Sequence, residues 1–188
     1  MKQALIIVDV QREYFPGGKL ELYKPEKALE QIQKALRLFR EKEWPIYFIR
    51  HISSQKSASI FQPDTVGVEL HPALMPRPGE TVLDKHFPNS FLGTGLREHL
   101  VAQNVQRLVA CGMMTHMCMD TTVRAAQNDG FPVTLLEDAC TGIALDWDGK
   151  TVPYPTVHAV MMASINGTFA TVEKTECFLQ DHQQNLHN

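Results

Sequence analysis

Six short apolar runs, separated by stretches patterned for amphipathic helices, leave this chain few architectures to adopt. The runs are Ala4–Val8, Pro45–Ile49, Thr81–Leu83, Val105–Cys111, Pro132–Leu136 and Phe169–Val172. Between the first two, Pro25 opens a helix at a favoured position, and Ala28, Leu29, Ile32, Leu36 and Phe39 recur at helical spacing. Further helices are expected over Leu96–Gln103, from the neighbourhood of Cys118 to Gly130, and over Thr156–Ile165. Such alternation predicts an α/β fold with three layers, α/β/α, around a mainly parallel six-stranded sheet of Rossmann-like plan. The 188 residues suit a single domain, 1–188, with a frayed polar tail over about 180–188 that holds His182 and His187.

Three segments fall outside the alternation. Ser53–Arg77 carries Pro63, Pro72 and Pro76; His86–Gly95 is rich in Phe, Pro, Asn and Gly; Ala144–Pro155 carries Trp147 and Asp148-Gly149. Long loops in a compact domain are often functional, and these are expected to rim a pocket above the strand ends.

Charge narrows the partners. A formal net charge of −3, with no Lys/Arg-rich block, argues against nucleic acid and against an anionic membrane surface. Asp9 ends the first apolar run too soon for a signal peptide, and nothing approaches a membrane span. The four cysteines, Cys111, Cys118, Cys140 and Cys177, form no C-x-x-C pair, so reduced thiols in a cytoplasm are expected.

Chemistry gathers where strands end. In a parallel α/β sheet, sites form at the C-terminal ends of the strands. Asp9 ends the first strand, Lys85 lies just beyond the third, and Cys118 follows the fourth through Gly112-Met-Met-Thr-His-Met. A cysteine entering a helix there has backbone N–H groups and a positive helix end beside it, which lower a thiol pKa. Lys85 adds positive charge, and Asp9 can take the thiol proton and pass it to a leaving amine. Each residue alone has a structural explanation; three at one sheet edge point to nucleophilic hydrolysis. His116 is a competing base, but residues two apart on a helix do not face each other, which favours Asp9.

Other signals carry less. Gly93-Thr-Gly95 lacks the third glycine of a dinucleotide loop, and the eight histidines show no metal-ligand spacing. No metal and no cofactor are expected. Phe15, His51, Phe87, Phe91 and Trp147 are candidates to line a substrate pocket, against a plain packing role for each.

The chain resembles the isochorismatase-like cysteine hydrolases. The resemblance runs through Leu5-Ile-Ile-Val-Asp9-Val-Gln11, His71-Pro-Ala-Leu-Met-Pro76, Gly79-Glu-Thr-Val-Leu-Asp-Lys85, Ser90-Phe91, Gly112-Met-Met-Thr-His-Met-Cys118-Met-Asp-Thr-Thr122 and Asp138-Ala139. It implies a catalytic triad of Asp9, Lys85 and Cys118, a cis peptide at Met113–Met114, and an oxyanion hole from the N–H groups of Met114 and Cys118. It also implies a homo-oligomer, a dimer or larger. The chain departs from the nicotinamidases of that superfamily, which carry an Asp-x-His metal motif after the second strand, where this chain reads Arg50-His51-Ile52-Ser53-Ser54. It departs from true isochorismatases by having the cysteine. Together these imply a metal-independent amidohydrolase that cleaves a C–N bond of a small amide or carbamoyl compound through an acyl-enzyme on Cys118. Ester or ether hydrolysis without a covalent intermediate, and a non-catalytic binding protein on the same fold, are the alternatives.

Overall fold

A computed structural model describes residues 2–184. Its centre is a parallel six-stranded sheet in the order β3-β2-β1-β4-β5-β8. The strands are β1 (Gln3–Val8), β2 (Ile46–His51), β3 (Thr81–Lys85), β4 (Arg107–Met113), β5 (Val133–Thr141) and β8 (Thr171–Glu173). Helices α1 (Pro25–Glu41), α2 (Leu96–Ala102), α3 (Asp120–Asn128), α4 (Tyr154–Ile165) and α5 (Thr175–Gln184) cover the sheet, and β6 (Leu145–Trp147) with β7 (Lys150–Val152) forms a separate hairpin. The expected three-layer α/β architecture is the one observed.

The period-2 alternation of strands divides the interior in two. Leu5 and Ile7 of β1 face Ile32, Leu36 and Phe39 of α1, with Phe178 of α5 in the same cluster. Ala4, Ile6 and Val8 point the other way, toward Met119, Val123, Met162 and Ile165. Both faces are covered, which is why the central strands read as unbroken apolar runs rather than as alternating ones.

Three boundaries differ from the sequence reading. β5 continues five residues past Leu136, through Cys140 and Thr141, and its pairing with β4 shifts register between Ala110 and Gly112. The segment read as a plain loop at Ala144–Pro155 contains the β6–β7 hairpin, turning on Asp148 and Gly149 with φ of 49° and 69°. The frayed tail expected from about 180 is instead helical to Gln184. Phe178 anchors α5 against Phe39, and His182 donates from Nδ1 to the Phe178 carbonyl while Nε2 accepts from Gln3. His187 lies outside the described residues.

Gly112 sets how closely the two middle strands approach. Its φ is 133°, and a Cβ built there would overlap the carbonyl oxygen of Val8. Only glycine allows that contact. The ends of β1 and β4 are therefore adjacent, which places Asp9 beside the turn that follows β4. No helix among the described residues is long and apolar enough to cross a membrane.

Candidate active site

The ends of β1, β2, β3 and β4 supply the site. Asp9 follows β1 with φ of 53°, an uncommon backbone conformation for a non-glycine residue, and its N–H donates to the Ile49 carbonyl. Lys85 ends β3, paired in register with His51 at the end of β2. Cys118 lies in a single π-type turn, Thr115–Met119, between the cis peptide Met113–Met114 and the start of α3. The thiol therefore sits two residues ahead of Asp120, where α3 begins, and not within the first turn of that helix.

Lys85 is the hub. Its Nζ lies 2.8 Å from Asp9 Oδ2, 3.2 Å from Cys118 Sγ, 2.9 Å from His51 Nδ1 and 3.0 Å from the Phe87 carbonyl oxygen. The side chains of Lys85 and Asp9 are fully buried. Since an ammonium only donates, His51 accepts at Nδ1 and carries its hydrogen on Nε2.

Burial governs the protonation states. It pushes the Asp9 carboxyl above its ordinary value, with Lys85 opposing. Burial, then the neighbouring Asp9 charge, pushes the Cys118 thiol up to about 12, again against Lys85. The sequence expectation of a lowered thiol pKa is thereby reversed: at a buried position, desolvation outweighs a nearby lysine and a helix end. His51 is pulled down to about 4 by burial, then by Lys85 and His86, so its ring is neutral near pH 7.

The oxygens and nitrogen of Asp9 and His51 and the sulfur of Cys118 lie within 4.8 Å of one another, close enough to suggest metal ligands. The centre of that group is taken by Lys85 Nζ, which contacts all three. A metal ion there would have to displace a buried ammonium, so the residues present do not fit one.

Cys118 opens onto a cavity of about 650 Å3. Tyr14, Ile60, Phe61, Pro88, Met114 and Met117 form its apolar wall. Ser53, Gln55, Ser57, Ser59, His51 and His86 supply its polar groups. Asp9 and Lys85 sit behind the thiol rather than in the wall.

Of the pocket candidates, His51 lines the cavity and four aromatics do not. Phe15 is buried against His71, with ring centroids 4.3 Å apart. Phe91 stacks at 6.4 Å on Phe131. Phe87 is exposed and contributes its backbone carbonyl to Lys85; Trp147 is 81% exposed on the hairpin. His116 has a buried Nδ1 with no hydrogen-bond partner among the described residues, and no hydrogen bond joins it to Cys118.

Two residues near the site escaped the sequence reading as functional positions. Gln11 bonds the backbone of His51 in both directions at 2.8 Å and also donates to the Val68 carbonyl. Glu13, buried, accepts from the Phe61 N–H at 2.9 Å and so fixes part of the apolar wall. Neither has a spacing signal; both follow an apolar strand by a few residues and look like loop polarity.

The family model for the isochorismatase domain matches residues 3–176. An uncharacterized isochorismatase family protein of Bacillus subtilis (strain 168), YddQ, is 44% identical over 96% of this chain and 100% of its own length. The crystal structure of a putative isochorismatase hydrolase from Oleispira antarctica superposes with a TM-score of 0.91 at 35% identity, covering 95% of this chain and 96% of that one. Ureidoacrylate amidohydrolase RutB of Acinetobacter baylyi (strain ATCC 33305 / BD413 / ADP1) is 26% identical over 97% of this chain and 84% of its own.

Proposed function

This chain belongs to the isochorismatase family of hydrolases, and from that premise we propose that it hydrolyses the C–N bond of a small amide through a covalent intermediate on Cys118. The observation that carries the reading is the contact of one buried ammonium, Lys85, with both Asp9 and Cys118, where the thiol faces an open cavity. A relative named for amide hydrolysis supports the choice of bond.

The mechanism follows from the protonation states. A thiol at about 12 is protonated at rest, so attack needs a base at the moment of bond formation. Asp9 is that base, and its raised pKa narrows the gap across which the proton must move. Cys118 sulfur bonds to the carbonyl carbon as its proton passes to Asp9. The N–H groups of Met114 and Cys118 receive the negative oxygen. When the C–N bond breaks, Asp9 gives its proton to the departing nitrogen. Water then attacks the thioester and yields a proton to Asp9; the carbon–sulfur bond breaks, the acid leaves, and Asp9 returns a proton to sulfur. Lys85 Nζ lies between the two partners, within reach of both the carboxyl and the sulfur.

The pH profile tests the role of Asp9. The base must be ionised, so kcat/KM falls as pH drops through the Asp9 pKa. Because burial raises that pKa, the acid limb is expected above 3.8, the ordinary value. The Cys118 thiol gives no alkaline loss near neutrality, since it titrates at about 12. An acid limb at or below the ordinary aspartate value would remove Asp9 from the role.

Mass spectrometry tests the intermediate. Acid quenching during turnover of a primary amide is expected to leave the acyl group on the peptide containing Cys118. Turnover that leaves no adduct under conditions where acyl release is slow would favour direct attack by water and end the covalent reading.

A further inference from the structure

The cavity in front of Cys118 is bounded without a fixed charge. Among the described residues lining it, none is Arg, Lys, Asp or Glu; the one other basic side chain besides His51 is His86, which is exposed to solvent and donates from Nδ1 to the Ile52 carbonyl. Directly behind the thiol, Lys85 and Asp9 neutralise each other at 2.8 Å. His51 is neutral near pH 7, held so by burial and by the adjacent lysine. The Tyr14 phenol is likewise held neutral by burial. Nearby cations are either occupied or outside the wall. Arg50 is gripped by both carboxylate oxygens of Asp84, at 2.7 and 2.8 Å, and Arg12 pairs with Glu69 at 3.1 Å. Lys56 is exposed on the loop that carries Ser57 and Ser59, where water screens it.

Resting on the amide-hydrolase reading, we propose that the substrate is an uncharged amide with an apolar or aromatic acyl group, and that this wall excludes amides bearing a carboxylate. A carboxylate entering the cavity loses its hydration and finds no guanidinium or ammonium to replace it. An added ammonium fares no better, because Asp9 is already paired with Lys85, and Glu13 lies behind the wall with its carboxylate bonded to the Phe61 and Lys19 N–H groups. An apolar ring, by contrast, buries its surface against Ile60, Phe61, Met114 and Met117. The hydrogen on His51 Nε2 and the serine hydroxyls offer neutral hydrogen bonds, which suit an amide or a hydroxyl.

Binding to the Cys118→Ala variant tests this separately from turnover. Benzamide, terephthalamide and terephthalamate form a set in which the last two differ only by an amide against a carboxylate. Calorimetry is expected to show both neutral compounds bound and terephthalamate weaker than terephthalamide by at least about 100-fold. Terephthalamate binding as tightly as terephthalamide overturns the proposal, and so does failure of benzamide to bind. A Ser59→Arg variant, in the same Cys118→Ala background, is expected to improve terephthalamate affinity about tenfold or more by supplying the missing cation. No gain there shows that something other than charge excludes the anion, which also overturns the proposal. Ammonia release by the wild-type protein separates the two claims: a neutral amide that binds but is never cleaved counts against the amidase reading and leaves the charge preference standing.

Discussion

Replacing Cys118 with alanine is expected to lower kcat by at least about 10,000-fold on any amide the protein hydrolyses. The expectation rests on geometry: Asp9, Lys85 and His51 are arranged around this sulfur, and among the described residues no other cysteine or serine is hydrogen-bonded to Lys85. What remains after the change is a polarised pocket without a nucleophile, able only to orient water. The fold should survive. Removing one sulfur from a buried position costs about 1 kcal/mol, or a few degrees in Tm for a chain of this size. Steady-state kinetics beside thermal denaturation reads both quantities at once. A variant that keeps more than about 1% of wild-type kcat would rule out attack by Cys118.

The second large effect concerns the buried ion pair. Lys85→Met is expected to abolish activity and to destabilise the fold by about 3–5 kcal/mol. Asp9 would be left fully buried without its counter-charge, and His51 Nδ1 and the Phe87 carbonyl would each lose a donor. Asp9 would then take up a proton to escape the uncompensated charge, and a protonated Asp9 cannot act as base. The double variant Asp9→Asn/Lys85→Met separates these effects. With neither charge present, most of the lost stability should return, while activity stays absent. Urea denaturation of the two single variants, the double variant and the wild-type protein measures the coupling. Unchanged stability in Lys85→Met would mean that the pair contributes little to holding these strand ends together.

The sheet was legible because burial on both faces writes itself as continuous apolar runs. Ala4–Val8 and Val105–Cys111 differ from the observed strands by only a residue or two at each end. The site was legible for a related reason: parallel topology gathers strand ends, so Asp9, Lys85 and Cys118 needed no local proximity in sequence to be considered together. The loops were legible only in part. Asp148-Gly149 is a strong hairpin signal, but the flanking strands are three residues each and mostly exposed, too short to show alternation. The end of α5, from residue 180, looked like a tail because the contacts that hold this helix are distant in sequence; Phe178 reaches back to Phe39, and His182 to Gln3.

The cavity wall was the least legible part. Aromatic content singled out Phe15, Phe87, Phe91 and Trp147, yet the wall is built from Tyr14, Ile60 and Phe61 together with small hydroxyl residues. Tyr14 closes a short 3-10 turn, Arg12–Tyr14, and Phe15 leaves it in extended backbone, so the two neighbours have different fates that composition does not distinguish. The thiol's protonation state was misread for a comparable reason. A lysine and a helix start are visible in the sequence, whereas the depth at which they act is not.

Gln11 gives the mouth of this site its architecture. Beyond Val8 and Ile49, β1 and β2 diverge, and a gap between them would ordinarily leave the last peptide group of β2 bare. The Gln11 side chain carries an amide of the same shape as a peptide, and it meets the His51 N–H and C=O as a neighbouring strand would. It serves as a detached rung that continues the ladder after the rails have parted. Its second donor then reaches the Val68 carbonyl and stitches the loop to the same point. The end of β2 therefore keeps its backbone paired on the side that β1 has left, and the segment at Val68 is tied to the strand that supports His51.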